Sequence, residues 1–264
     1  MASELRIGAY QFASCGDVLR NFDIMKNAIV QASLQKVRLL VFHECALSSY
    51  PMSETVKAKD ANFDMIEDCM VELQKLAMRY DMYIAVGSIL KRENAIFNSI
   101  QMFSPNGETL PSYDKRALWG WDIDNFSEGT NCGIYEIDEI KIGVRLCFEV
   151  RFPEYFRELY KERVDLCIVS FFDVTDEECI ERYELIKAHL RTRAVENVMT
   201  VISVNDIAPF QAAPTAIFDI DGTVVAELER NKAGLLIYDF KTPEKQFGAR
   251  GRALISDRLL GVIR

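Results

Sequence analysis

The 264-residue chain is 49% apolar and 27% charged, an ordinary balance for a globular protein, so an intrinsically disordered chain is excluded. Its 40 acidic side chains outnumber 31 basic ones, giving a formal net charge of -9 with no basic run, which excludes a general nucleic-acid binder. No apolar stretch approaches the roughly 20 residues of a membrane span, and the opening "MASELRIGAYQF" has no secretory pattern, so a cytoplasmic protein without membrane partners is expected.

Apolar alternation in "LRIGAYQFA" predicts a strand, and helical spacing in "DVLRNFDIMKNAIVQASLQK" predicts a helix with Asp17 as its N-cap. "VRLLVFHE" reads as a nearly continuous apolar strand, buried on both faces and carrying His43 and Glu44 at its end. The helix "FDMIEDCMVELQKLAMRY" and the strand "MYIAVGSIL" complete a β-α-β-α-β opening. "FNSIQMFSPNGETLPSYDK" then predicts two short strands about a turn at Pro105-Asn106-Gly107, and residues 116–132 read as an irregular segment rich in aromatics and acids.

Strands follow at "CGIYEID" and "IKIGVRLCFE", a helix near 154–162, a strand at "VDLCIVSFF", a long helix over 177–198 and a strand at "VMTVISVND". "TAIFDIDGTVVAELE" carries an Asp-Gly hairpin signal, and "AGLLIYDF" is the last strand. With no linker, low-complexity run or fixed-period repeat, residues 1–264 read as one domain. Mixed strands with helices on their outer faces predict an α/β layered sandwich, whose chemistry belongs at loops beyond strand ends.

The seven cysteines (Cys15, Cys45, Cys69, Cys132, Cys147, Cys167, Cys179) are odd in number and contain no C-x-x-C pair, so neither a disulfide framework nor a zinc cluster is expected. Most are expected to be reduced and buried. Cys147, in "GVRLCFEVRFPE", ends a β-prone apolar run and is a candidate nucleophile if a partner activates it. Histidine is the usual partner. On a strand, however, His43 and Glu44 point to opposite faces, and His189 lies inside the long helix as a packing or surface residue. The remaining candidates are Glu44, an expensive charge to bury, and Lys115, which follows a strand and leads into aromatics. Against a catalytic set stands a structural Glu–Lys ion pair beside an inert thiol, since three residues so distant in sequence prove no proximity.

"FHECALSSY", "YDKRALWGWD" and "VRLCFEVRFPE", in that order, resemble the three signature blocks of the nitrilase superfamily, the carbon-nitrogen hydrolases. "FSEGT", "RTRAVENVMTVISVN" and "IFDIDGTVVAE" resemble further elements of the family, so the likeness spans nearly the whole chain. It implies a four-layer α-β-β-α sandwich with two mixed β-sheets. It also implies Glu44 as general base, Cys147 as nucleophile, and Lys115 with the backbone N–H of Phe148 as oxyanion donors.

Asp122 stands where many relatives carry a second glutamate, with Asp124 and Glu128 as nearby alternatives. One methylene shorter, Asp122 is expected to need a shifted backbone or a water to reach the same contact. Lys115 is expected to favour the Cys147 thiolate, and burial to raise the Glu44 pKa. Glu149 and Arg151 are expected to brace the nucleophile turn and Pro153 to open a helix; Trp119 and Trp121 either line a pocket or cover the core. The acidic run "DVTDEECIERYE" points to cationic substrates or to a solvated face.

The chain departs from the family pattern at Ala117 (commonly histidine), His43 (often proline) and Ala213-Pro214-Thr215 (frequently G-x-S). Phenylalanine after the cysteine resembles the amidase-like branches, because true nitrilases usually have tryptophan there. The implied reaction is hydrolysis of a small linear amide through a cysteine thioester, releasing ammonia, with no cofactor or metal. Pairing into at least a homodimer is implied as well. An N-carbamoyl amide hydrolase, which releases carbon dioxide too, and a catalytically silent scaffold subunit are the alternatives.

Overall fold

The computed structural model describes residues 4–50 and 56–262. Strand β1 (Glu4–Gln11) leads to helix α1 (Val18–Leu34), whose N-cap Asp17 accepts the N–H groups of Leu19 and Arg20 at 3.0 and 3.2 Å. Met25, Ala28, Ile29 and Ala32 recur on one face of α1 and are all buried. Strand β2 (Leu39–Phe42) is buried along its whole length. Helix α2 (Phe63–Tyr80), capped by Asn62, ends where Asp81 turns left-handed at φ +50°.

The chain continues through β3 (Tyr83–Arg92), β4 (Ala95–Phe103), β5 (Tyr113–Asp114), α3 (Trp121–Asn125), β6 (Ile134–Ile137) and β7 (Ile140–Leu146). A 3-10 turn over Cys147–Arg151 then leads to α4 (Pro153–Lys161), β8 (Leu166–Phe171), β9 (Val174–Thr175), α5 (Ile180–Asn197) and β10 (Thr200–Asn205). The remaining elements are β11 (Phe210–Gln211), β12 (Ala216–Phe218), β13 (Val224–Glu227), β14 (Gly234–Lys241) and α6 (Phe247–Leu259).

Two six-stranded sheets form, ordered β14-β1-β2-β3-β4-β5 and β13-β12-β10-β8-β7-β6. Each is mixed: β1, β2 and β3 are parallel, as are β7, β8 and β10, while the outer pairs are antiparallel. The period of two divides each central strand between two cores. Leu39 and Val41 of β2 pack between the sheets with Val144, Ile168 and Val204, whereas Leu40 and Phe42 pack outward with Met25, Ile29 and Leu73 of α1 and α2. Cys167, Val169 and Val201 likewise face Phe156, Leu159, Ile186 and Leu190 of α4 and α5. The layers are therefore α-β-β-α, with two mixed sheets, as expected. Among the described residues no helix is long and apolar enough to cross a membrane.

Three elements differ from expectation. Strand β2 stops at Phe42, so His43 and Glu44 lie in the following turn rather than on the strand. The segment 116–132 contains the short helix α3. Helix α6 was not anticipated, because Gly248 and Gly251 dilute its helical signal and only Ala249 and Ser256 are buried. Polar contacts hold it instead: Tyr160 Oη donates to Asp257 at 2.8 Å, and Arg252 Nε donates to the Val195 carbonyl at 3.1 Å.

Candidate active site

The turn after β2 presents Glu44. It lies against Gly87 of β3, where an added Cβ would overlap the His43 carbonyl oxygen and sit 2.7 Å from the Cys45 backbone nitrogen. Gly87→Ala is therefore expected to destabilise the fold by about 1–3 kcal/mol through overpacking. Denaturant unfolding checks this, and an unchanged midpoint would mean that the turn yields. The buried Glu44 carboxylate is held by three donors. Asn98 Nδ2 and Lys115 Nζ reach Oε1 at 2.7 and 2.9 Å, and the Phe172 N–H reaches Oε2 at 2.7 Å. Burial pushes the Glu44 pKa up, against the pull of Lys115.

Lys115 follows β5, its backbone N–H bonded to the Asn98 carbonyl at 2.8 Å. Its ammonium bridges Glu44 and Asp122 Oδ2, the latter at 2.8 Å. Burial alone would lower its pKa, but Glu44, Cys147 and Asp122 outweigh that and hold it well above the usual lysine range. Asp122, on α3, reaches Lys115 without an intervening water, and its other oxygen accepts the Tyr50 hydroxyl at 2.6 Å. Helix α3 carries it into position, so the shorter side chain suffices. Asp124 and Glu128 are exposed. Two carboxylates thus share one ammonium inside the protein, an arrangement that costs more desolvation than an apolar cluster would.

Cys147 opens the 3-10 turn after β7 with φ +39°, a strained value for a residue with a Cβ. Glu149 braces this turn, as expected. Its Oε2 accepts the Leu146 N–H and the Tyr113 hydroxyl at 2.7 Å each, and its Oε1 accepts the Arg116 N–H at 2.7 Å, tying the turn to the segment carrying Lys115. Pro153 opens α4, as expected. The Arg151 side chain does not brace the turn: it lines the cavity with its guanidinium 5.9 Å from the Phe148 ring and makes no hydrogen bond or ion pair among the described residues, although its charge acts on Asp173. Lys115 favours the Cys147 thiolate, as expected, but does not prevail. Burial and the nearby Glu44 charge raise the Cys147 pKa well above the usual thiol range, and Lys115 only partly offsets them.

Glu44, Lys115, Asp122 and Cys147 line one cavity of about 370 Å³, large enough for a small organic molecule. Trp119 and Phe148 stack on its wall with ring centroids 5.6 Å apart, and Tyr50 stacks on Phe172 at 5.2 Å. Trp121 instead covers an apolar cluster with Phe126, its indole N–H bonded to the Val56 carbonyl at 2.8 Å. Of the acidic run, Asp173 lines the cavity but is ion-paired with Arg182 at 2.7 Å, while Asp176, Glu177 and Glu178 are exposed. The run is thus mainly a solvated face and supplies no net negative site for a cation.

Neither histidine lines the cavity. Cys45, Cys69 and Cys167 are buried, whereas Cys132 is exposed and Cys15, Cys147 and Cys179 are partly so; all seven are free thiols. Among the described residues no group of three or more His, Cys, Asp or Glu side chains is placed to hold a metal ion. Sequence reasoning missed Asn98, Tyr50 and the Phe172 N–H. Asn98 was detectable as a polar residue inside the apolar strand "FNSIQMF"; a backbone donor leaves no sequence signal.

The sequence model of the carbon-nitrogen hydrolase family matches residues 6–245. The 2-oxoglutaramate amidase of Bacillus subtilis is 26% identical over 136 residues, 50% of this chain and 51% of that protein, so the match spans about half of the relative's length. A probable nitrilase of Schizosaccharomyces pombe is 25% identical over 84% of this chain and 83% of its own. Among solved structures, an amidase from Nesterenkonia sp. superposes with a TM-score of 0.79 at 22% identity, over 98% of this chain and 97% of that one, which shows a shared fold. The chain belongs to the carbon-nitrogen hydrolase family, within the nitrilase superfamily.

Proposed function

We propose that the protein is an amidase that hydrolyses a small linear amide through a thioester on Cys147. One observation carries this reading: a thiol on a strained turn shares a small cavity with a buried carboxylate of raised pKa and a buried ammonium. Glu44 takes the Cys147 proton as sulfur attacks the amide carbon. Lys115 and the Phe148 N–H, at the start of a short helix whose first N–H groups have no helical partner, stabilise the developing oxyanion. Glu44 then protonates the departing nitrogen, the C–N bond breaks and ammonia leaves. Water loses a proton to Glu44 and attacks the thioester; the C–S bond breaks, the acid is freed, and Glu44 returns the proton to the Cys147 sulfur. A base of raised pKa suits both halves, because it must accept and return the same proton near neutral pH.

Asp122 keeps Lys115 charged and in place. Relatives bear on the substrate: besides the Bacillus enzyme, a deaminated glutathione amidase of Yersinia enterocolitica is 28% identical over 148 residues, and an omega-amidase of Danio rerio is 23% identical over 210. A glutamate-to-leucine mutant of the Nesterenkonia amidase carries the acetamide moiety of fluoroacetamide covalently at its active-site cysteine. Arg151, the lining cation without an ion-pair partner among the described residues, favours an amide whose far end carries a carboxylate. Arg151→Gln is expected to raise KM for such an amide about tenfold to a hundredfold, the worth of one charged hydrogen bond, and to leave kcat nearly unchanged. Equal KM values in the two proteins would remove Arg151 from the substrate's path.

Ammonia release from short amides, dicarboxylic acid monoamides, carbamoyl amines and nitriles tests the function. Turnover of an amide class supports the reading. Carbon dioxide released with the ammonia would make the protein a carbamoyl amide hydrolase, and silence across the panel would favour a scaffold.

A further inference from the structure

His43 is completely buried, lies beside Glu44 and takes no part in the cavity wall. Its Nδ1 is 3.0 Å from the Glu44 carbonyl oxygen, and since a carbonyl only accepts, Nδ1 carries the proton. Its Nε2 faces Asp206 Oδ2 at 3.6 Å and makes no hydrogen bond among the described residues. Burial pulls the His43 pKa down, while Asp206 and the Glu44 and Phe12 carbonyls pull it up. A ring surrounded by acceptors, with one nitrogen unsatisfied, is a poor core filler; an apolar side chain would carry no such cost.

Asp206 is itself fixed. Its Oδ2 accepts the Ser14 N–H at 2.9 Å and the Ser14 hydroxyl at 2.5 Å, and its Oδ1 accepts the Ala208 N–H at 2.9 Å. Its own N–H reaches the Phe171 carbonyl at 3.4 Å, one residue before the Phe172 N–H that binds Glu44 Oε2. Hydrogen bonds thus link Asp206 through the end of β8 to the Glu44 carboxylate, and His43 to the Glu44 carbonyl, whereas Nε2 and Asp206 Oδ2, both acceptors once Nδ1 is protonated, form no bond. The Phe172 N–H contact reaches from the sheet that leads to Cys147 to the turn that carries Glu44.

From this geometry we infer that His43, donating from Nδ1 to the Glu44 carbonyl, is a positioning residue that sets the Glu44 carboxylate against the Cys147 thiol. The inference rests on Glu44 being the base that removes the thiol proton. A small displacement of a base from its proton is enough to slow transfer, so the strut acts on the rate of the proton step and leaves binding alone.

The test is alkylation of Cys147 by iodoacetamide in the full-length protein, with the modified peptide followed by mass so that kinact and KI are separated and no amide substrate need be known. His43→Leu is expected to lower kinact about tenfold to a hundredfold with KI unchanged. In a Glu44→Gln background the same change is expected to add no further loss, because the base it positions is gone; mere loosening of the fold would add its loss in both backgrounds. Should His43→Leu fail to fold, His43→Phe, which keeps a ring against Phe12 and removes the Nδ1 donor, is expected to give the same non-additive pattern. A wild-type rate in His43→Leu beside a slow Glu44→Gln overturns the strut and leaves Glu44 as base. A wild-type rate in Glu44→Gln overturns both.

Discussion

Cys147→Ala is expected to lower kcat at least about a thousandfold on whichever amide the protein turns over, while its unfolding midpoint stays close to the parent's. Nothing else in the cavity can take over the attack. Cys147 is the one thiol lining it among the described residues, and the buried Cys167, outside the cavity wall, is pushed up to about 12. Without sulfur, water would have to attack the amide directly, with Glu44 as base and with no covalent intermediate to divide the barrier into two smaller ones. The change removes one partly exposed atom from a turn whose shape is set by Glu149, so the fold has little reason to respond. The measurement is steady-state ammonia release beside a denaturation curve. Retained turnover in a folded Cys147→Ala protein would end the nucleophile reading.

How much of this was legible beforehand differs by element. The central strands were readable because both of their faces are apolar, as in "VRLLVF", and α1 because Asp17 caps an evenly spaced apolar face. The pairing of twelve strands into two sheets was not, since strand order depends on contacts such as β1 with β14, more than two hundred residues apart. Helix α6 escaped because glycines and polar anchors, rather than an apolar stripe, hold it. Glu44, Lys115 and Cys147 were candidates from burial cost and chain position, but only family resemblance joined them into one set, because residues so far apart give no local pattern. The contact of Asp122 with Lys115 hid in a segment read as irregular, and the neutral state of Cys147 follows from burial and from a carboxylate that sequence cannot place.

Lys115→Met, nearly isosteric but uncharged, is expected to lower kcat about a hundredfold to a thousandfold, the loss of one donor of about 3 kcal/mol at a developing oxyanion, with a smaller change in KM. It also leaves Glu44 and Asp122 buried around an apolar group, and removing one partner of a buried ion pair costs about 3–5 kcal/mol. The two effects separate by pH. In the parent, burial already raises the Glu44 pKa and Lys115 restrains the rise; the methionine variant loses that restraint, so the pKa climbs further. Since Glu44 acts as a base only when unprotonated, the acid limb of kcat/KM should move to higher pH in the variant. Stability should move in the matching sense. A carboxyl group whose folded pKa exceeds its unfolded one binds more protons when folded, so stability falls as pH rises from the ordinary carboxylate range through the raised value. The stability gap between parent and variant should therefore widen with pH across that window and narrow in acid. If both pH profiles superpose with the parent's, Lys115 does not govern the protonation of Glu44, and its role is confined to the oxyanion.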